Sequence, residues 1–436
     1  MMNKMTTLDK KEGSSSSNIE SLQFQSLKNL LEKILPDNLF YSQKLAGSDL
    51  NQSNLDQLMK NIPLTTKGEL VENQQKYPPY GTNLTYPIAE YVHYHQTSAS
   101  SGRPMRWLDT ANDWSWIIEN WKRVFDKAGI DKRDRIFFAF SFGPFLGFWS
   151  AFYAAQSCGF LSIPGGGMST VTRLHMIFEN ETTTLCCTPT YAIRLGEVAA
   201  LENFNLEESK IRTIIVAGEP GGSIRATRDK IKKLWPGSSV VDHHGMTEVG
   251  PVSYQCPFHE GILRVMESRY IAEVIDPATH RKVDIGNIGE LVLTTLGRTG
   301  SPLLRYRTGD LVKRVYIPVP DKDIDDFALE GGILGRADDS VSVKGVNVYP
   351  GAFEKILRKF DEIVEYRVCL TSKDQQTDIE LQIEPGVKQK NIDILVDQIQ
   401  KQLNAALSLR VPVSIMKPGQ LPRFEMKAKR WVHEKK

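Results

Sequence analysis

Between Asp134 and Gly245 the chain alternates short apolar runs with longer amphipathic ones, and few folds accept that alternation. RIFFAFSF, FLSIP, TLCCTP, IRTIIVAG and SSVVDHHG read as strands, and residues 144–157, 169–180, 191–201 and 223–234 as the helices between them. A strand that is apolar at nearly every position is buried on both faces. Helical crossovers between such strands make the neighbours parallel. The expectation is an α/β protein with a large N-terminal domain of doubly wound, mostly parallel sheets. Ligands of such sheets sit beyond the carboxyl ends of the strands. AGEP (217–220) and DHHGMTE (242–248) are polar clusters at two of those ends.

Outside this core the pattern changes. Residues 1–20 are polar, without an apolar segment, and read as a disordered leader rather than a signal peptide or anchor. Leu22, Leu27, Leu30, Leu31, Ile34 and Leu35 lie at helical spacing, so a first helix is expected over 18–35. After Pro251, 261–274 and 289–295 read as strands of a small β subdomain, and 313–329 as a charged connection. From Gly335 the pattern resets, with a helix over 351–359, strands near 366–371 and 379–383, and a helix over 390–407. That is a small α+β unit of about a hundred residues, an ordinary domain size. The expected division is therefore a leader (1–20), an N-terminal domain (21–337) and a C-terminal domain (338–436).

Bulk properties exclude several classes. A net charge of +2 supplies no field for nucleic acid. The most apolar run, 137–155, is interrupted by Ser141, Gly143, Pro144, Gly147 and Ser150. A membrane span needs about 20 mostly apolar residues, so no membrane partner is expected. The five cysteines are too few and too scattered for a disulfide framework, which points to a reducing, cytoplasmic setting.

YHQTSASSGRPM (94–105) has no hydrophobic period. Thr97, Ser98, Ser100 and Ser101 supply hydroxyls, Gly102 permits close backbone approach, and Arg103 supplies a permanent positive charge. These are groups that hold phosphates, although no Gly-Lys-Ser/Thr follows and the segment is not a Walker loop. Four polar motifs come after it in order: DHHGMTEVG (242–250), RYRTGDL (305–311), GRADDSVSVKGVNVYP (335–350) and LPRFEMKAKR (421–430).

Taken with IPLTTKGEL (62–70), YPPYGTNLTYP (77–87), IPGGGMSTVTR (163–173), CTPTYAIRLGE (187–197) and AGEPGGSIR (217–225), the set resembles the adenylate-forming superfamily. That superfamily comprises acyl-CoA synthetases, peptide-synthetase adenylation domains and luciferases. Within it the chain is most similar to the phenylacetate–coenzyme A ligases. The resemblance implies ATP-dependent activation of an aromatic (aryl or arylacetic) carboxylic acid to an acyl-adenylate, with pyrophosphate release, and then transfer to coenzyme A. The small C-terminal domain is implied to be mobile, with Asp338 at the hinge.

The resemblance also implies residue roles. Thr97, Ser98, Ser100, Ser101, Gly102 and Arg103 would hold the β- and γ-phosphates. Thr247 would bind the α-phosphate and Glu248 a magnesium ion. His244 stands where the family usually has a Tyr against adenine, and Asp242, His243 and the Gly218–Glu219–Pro220 backbone would frame the base. Asp310 would take the ribose hydroxyls, with Arg336 nearby. Lys427 would bridge carboxylate and α-phosphate as a point charge. Phe142, Phe145, Trp149, Gly165, Gly166 and Met246 are candidates for the acid pocket, an aromatic wall with glycines opposite.

Three positions depart from the family pattern: Ala99 for the first Gly of the hydroxyl loop, Arg103 for its Lys, and Met426 for the Gly before the catalytic Lys. Some relatives carry a cysteine-rich zinc-like cluster. Here Cys256 and His259 are left without partners in 313–334, so no structural zinc is expected. A carrier-protein thiol or an amine is the alternative acceptor, and a homodimer is an open assembly. A non-catalytic nucleotide-binding protein of the same fold is the alternative of another class, resting on Ala99 and Met426.

Overall fold

A computed structural model describes residues 16–97, 104–318, 325, 327–339, 341–343, 346–373, 376–386, 391–407, 409–424 and 428–434. The chain forms two compact units. One takes Met1–Trp116, Met266–Glu273 and Val292–Thr308; the other takes Ile117–Val265, Val274–Leu291 and Gly309–Lys436.

The first unit opens with helix α1 (Ser16–Ile34), held by the buried stripe Leu27, Leu30, Leu31 and Ile34. Its first turn runs on into the end of the segment expected to be leader, because the buried stripe anchors a helix longer than the apolar spacing marks. The rest of that leader lies outside the described residues. Three short helices follow: α2 (Leu39–Lys44), α3 (Leu55–Asn61) and α4 (Lys67–Lys76). The last begins on a reciprocal capping box between Thr66 and Glu69. Strands β1 (Tyr91–Gln96) and β2 (Arg106–Thr110) then pair antiparallel. Asp109 on β2 forms a wholly buried two-point ion pair with Arg298, at 2.6 and 2.8 Å. This pair, and the Asp113 carboxylate accepting from the Thr299 and Gly300 amides, fix the hairpin against residues 297–300.

In the second unit the alternating core folds as expected. Five strands, β3 (Arg135–Phe138), β4 (Leu161–Pro164), β5 (Thr184–Cys187), β6 (Thr213–Val216) and β7 (Ser239–Asp242), lie in the order β4-β3-β5-β6-β7, every neighbour parallel. The order reverses between β3 and β5, which is where a doubly wound sheet opens a crevice at its carboxyl edge. After α5 (Ala111–Lys127), helices α6 (Leu146–Ser157), α7 (Thr170–Glu179), α8 (Pro189–Leu201) and α9 (Arg225–Leu234) supply the crossovers. Phe137, Leu185, Ile214 and Val240 pack with Leu174, Leu195 and Ile231 in one core cluster. From the adjacent position, Phe138 meets Phe152 of α6 edge-on at 5.3 Å. Strand residues alternate faces, so helices cover both.

Two expectations need correction. RIFFAFSF is a strand only over Arg135–Phe138, because the chain leaves the sheet before Phe142, which takes a left-handed φ of 44°. Among the described residues the all-parallel pattern is that of the five-stranded sheet, and the strands that follow it are arranged differently. Ser253–Gln255, Ile262–Val265, Ala328–Glu330 and the end of Tyr306–Val315 pair antiparallel, and Gly335–Arg336 joins the last of these. The span 313–329, read as a connection, thus begins and ends in strand.

The C-terminal stretch has a core of its own. The strand order is Val413–Ile415, Gln376–Pro385, Ile363–Lys373, Trp431–Glu434. Helices α10 (Pro350–Leu357) and α11 (Ile392–Leu407) pack with it around Phe353, Val368, Leu381, Ile399 and Leu403.

Candidate active site at the carboxyl ends of the parallel strands

The sheet directs two of the polar motifs to one edge. Beyond β6 the chain turns at Gly218, with φ of 92°. A Cβ on Gly222 would lie 2.4 Å from Asp242 Oδ1, so only glycine lets the β6 loop approach the end of β7. Asp242 is buried; Ser223 Oγ donates to its Oδ2 at 2.6 Å and the His243 amide to its Oδ1 at 3.0 Å. Burial outweighs these donors and pushes its carboxyl up to about 6. Ser223 joins the candidate site through this contact, and motif reading passed it over although it sits inside AGEPGGSIR.

His243 is also buried. Its Nδ1 lies 2.6 Å from the Ser253 carbonyl and its ring centroid 4.3 Å from that of Trp121. Burial pushes its pKa down to about 3, so it is neutral and Nδ1 donates. Its side chain serves the wall behind the site. His244 points its Nε2 to Asp310 Oδ2 at 3.0 Å, and Arg336 Nη1 donates to Asp310 Oδ1 at 3.1 Å. The same guanidinium reaches Asp338 through Nε at 3.0 Å and Nη2 at 3.3 Å. Residues from three motifs thus form one continuous chain of contacts, His244–Asp310–Arg336–Asp338.

The strands Gly245–Met246 and Gly250–Pro251 form a tight hairpin, with Thr247 and Glu248 in its turn. A Cβ on Gly245 would lie 2.8 Å from the Gly250 carbonyl oxygen, which accounts for that glycine. Glu248 is buried and Thr247 half-buried. Magnesium is commonly held by one or two carboxylates plus substrate phosphates, so a single carboxylate here suits it. Among the described residues no cluster of three or more His, Cys, Asp or Glu could hold a metal by itself. Cys256 Sγ and His259 Nδ1 lie 3.8 Å apart.

Glu219 takes a position that its motif did not suggest. Its Oε1 accepts from the Thr190 amide at 2.9 Å, in the first turn of α8, and its Oε2 accepts from the Ala428 amide at 2.9 Å. Arg430 continues the contact, pairing with Glu365 at 2.7 Å and reaching Thr190 Oγ1 at 3.3 Å. The C-terminal segment is therefore tied to the β6 loop.

For the acid pocket, Phe142 meets Trp149 edge-on at 5.0 Å, and the Trp149 indole N–H donates to the Gly143 carbonyl at 3.0 Å. A Cβ on Gly166 would lie 2.9 Å from the Phe142 ring, which places Gly166 against that wall. Phe145 sits edge-on to Phe148 at 6.2 Å, and Met246 belongs to the hairpin that packs on α6. Gly165 serves the sheet: a Cβ there would lie 2.6 Å from Phe137 Cζ and 2.9 Å from the Phe138 carbonyl oxygen.

Of the six residues expected to hold phosphates, Thr97 alone is described. Its amide donates to the Met105 carbonyl at 2.9 Å, and its hydroxyl oxygen accepts from the Met105 amide at 3.1 Å, which closes the base of the β1–β2 loop. Ser98, Ser100, Ser101, Gly102, Arg103 and Lys427 lie outside the described residues.

Residues 345–435 match the family of AMP-binding enzyme C-terminal domains. A phenylacetate–coenzyme A ligase of Pseudomonas putida is 27% identical over 97% of this chain and 95% of its own length. A crystal structure of 2-hydroxyisobutyryl-CoA ligase in the postadenylation state, in complex with R3-HIB-AMP, superposes with a TM-score of 0.90 at 25% identity, covering 99% of this chain and 94% of that one. The same ligase in its thioesterification state, with 2-HIB-AMP and CoA, gives 0.72 at the same identity and coverage.

Proposed function

We propose that this chain, an AMP-forming acid–CoA ligase of the adenylate-forming superfamily, activates an aromatic carboxylic acid. One observation carries the reading furthest. His244, Asp310 and Arg336 come from three separate motifs and meet at 3.0 and 3.1 Å where the sheet delivers its ligand edge.

In the first step a carboxylate oxygen of the acid attacks the α-phosphorus of ATP, and pyrophosphate leaves. Asp310 accepts the ribose hydroxyls, and the Gly218–Pro220 backbone frames the base. Thr247 donates to the α-phosphate. Lys427 offsets the charge of two anions brought together. A magnesium ion held by Glu248 would neutralise the phosphates. Thr97 shapes the loop whose hydroxyls and Arg103 hold the β- and γ-phosphates. In the second step the coenzyme A sulfur attacks the acyl carbon, AMP leaves and the thiol proton is released.

The residues from 338 onward form the domain that moves between steps, about Asp338. The closer likeness to the relative's postadenylation state and the tie between Glu219 and Ala428 support placing this conformer at the adenylate stage. Phe142, Trp149 and Gly166 support a flat, apolar acid, as do the phenylacetate ligases among the relatives. The hydroxyisobutyrate ligase favours a second reading, a short branched hydroxy acid. Among the described residues no helix is long and apolar enough to cross a membrane, and the five cysteines, too few and too scattered for a disulfide framework, support a cytoplasmic setting.

Acid-dependent ATP–pyrophosphate exchange across aryl, arylacetic and short hydroxy acids tests the substrate. Exchange should be fastest with an aromatic acid. A clear preference for 2-hydroxyisobutyrate would replace this reading with the second.

A further inference from the structure

The ring at position 244 makes a contact that a stacking ring has no need of. Its Nε2 meets Asp310 Oδ2 at 3.0 Å, and both side chains are buried. A carboxylate only accepts, so Nε2 carries the proton in either charge state of the ring. Nδ1 is buried and has no hydrogen-bond partner among the described residues. Asp310 is therefore the ring's polar contact. The mount is stiff: the His244 carbonyl accepts from the Val252 amide at 2.9 Å and the Ser253 amide at 3.2 Å, and its own amide donates to Ser253 Oγ at 3.3 Å. On the far oxygen of the same carboxylate, Arg336 Nη1 donates at 3.1 Å. A donor on each oxygen fixes the plane of the carboxylate.

We propose that His244 is a positioning residue for the sugar site: it fixes the Asp310 carboxylate through its Nε2–H, and thereby sets how strongly the protein prefers ribonucleotides to deoxyribonucleotides. The inference rests on the ligase reading for the role of Asp310. His244 acts on the sugar through that carboxylate, and its ring is too small to add much by stacking on the base.

Two roles for position 244 predict opposite results. His244→Phe enlarges the ring and deletes the Nε2 donor, and His244→Tyr enlarges it and moves the donor outward to a phenol O–H beyond the Nε2 position. His244→Gln deletes the ring and keeps an N–H donor at similar reach. Dissociation constants for ATP, 2′-deoxyATP and 3′-deoxyATP are measured by calorimetry for each protein, beside KM and kcat in pyrophosphate exchange, with urea midpoints to verify folding. Wild-type protein should prefer ATP. In the Phe and Tyr variants that preference should fall by about tenfold or more, the size expected for loss of a hydrogen bond to a charged group. The fall should come from weaker ATP binding, with little change for the deoxy analogues. His244→Gln should keep most of the preference. An unchanged ratio in the Phe and Tyr variants, or no ribose preference in wild type, would overturn the inference. Binding is read without turnover, so an absence of exchange would count separately, against the ligase reading.

Discussion

Asp242 and His243 are adjacent, buried, and shifted so that their effects on stability oppose each other. Burial raises Asp242 from 3.8 to about 6, and lowers His243 from 6.5 to about 3. The folded chain therefore keeps a proton on Asp242 that the unfolded chain has lost between about pH 4 and 6. Its contribution is full below pH 3.8 and disappears as pH rises through about 6. His243 behaves in the opposite sense. Its contribution is full above pH 6.5 and disappears as pH falls towards 3. Across this window the two contributions should largely cancel, leaving the slope to the other titrating groups. Asp242→Asn removes one slope and leaves the other, so its stability should climb with pH between 4 and 6. Two pKa units correspond to about 3 kcal/mol, which bounds the effect. Urea midpoints at several pH values measure it. A variant with the wild-type slope would mean that the two groups do not oppose each other.

At the scale of elements, the first turn of α8 is where the sheet and the C-terminal segment meet. Thr188 caps the helix by accepting from the Tyr191 amide at 3.2 Å. Pro189 needs no partner for its nitrogen, and the Thr190 amide goes to Glu219 at 2.9 Å. A carboxylate at a helix N-terminus is favoured by the helix dipole. Its second oxygen holds the Ala428 amide, directly after Lys427 in sequence. Glu219→Ala should slow acid-dependent exchange by about ten- to a hundredfold, the range for losing hydrogen bonds to a charge. Transfer from preformed acyl-adenylate to CoA should stay near wild type. Equal losses in both steps would mean that Glu219 supports the fold rather than the adenylate-stage conformer.

The alternating strands and helices were legible in the sequence because burial on both faces leaves a continuous apolar run that no loop imitates. The element ends were not. Polar-facing residues such as Ser141 follow RIFFAF without marking where the chain leaves the sheet. A basic tail such as 427–436 would ordinarily be a solvated face, yet Trp431–Glu434 pairs parallel with the strand Ile363–Lys373, and Arg430 is buried on Glu365. Pairings between distant segments have no local pattern. The same holds within the site. Thr247, Glu248 and Asp310 stand in recognisable motifs, whereas Ser223 and Trp121 enter only through contacts that folding creates.

At the scale of the whole molecule one overall reaction unites the parts: an acid, ATP and coenzyme A give an acyl thioester, AMP and pyrophosphate. Every assignment at the smaller scales serves it. In the proposed roles His244 and Asp310 serve the sugar, Glu219 the first-step conformer, and Phe142 with Trp149 the acid. The most direct measurement is the product balance with purified protein, ATP, magnesium, coenzyme A and the acid that gives the fastest exchange, resolved by chromatography. The account predicts equal amounts of AMP, pyrophosphate and acyl-CoA, with no ADP or phosphate. Formation of ADP and phosphate, or release of AMP with no thioester when coenzyme A is saturating, would contradict it.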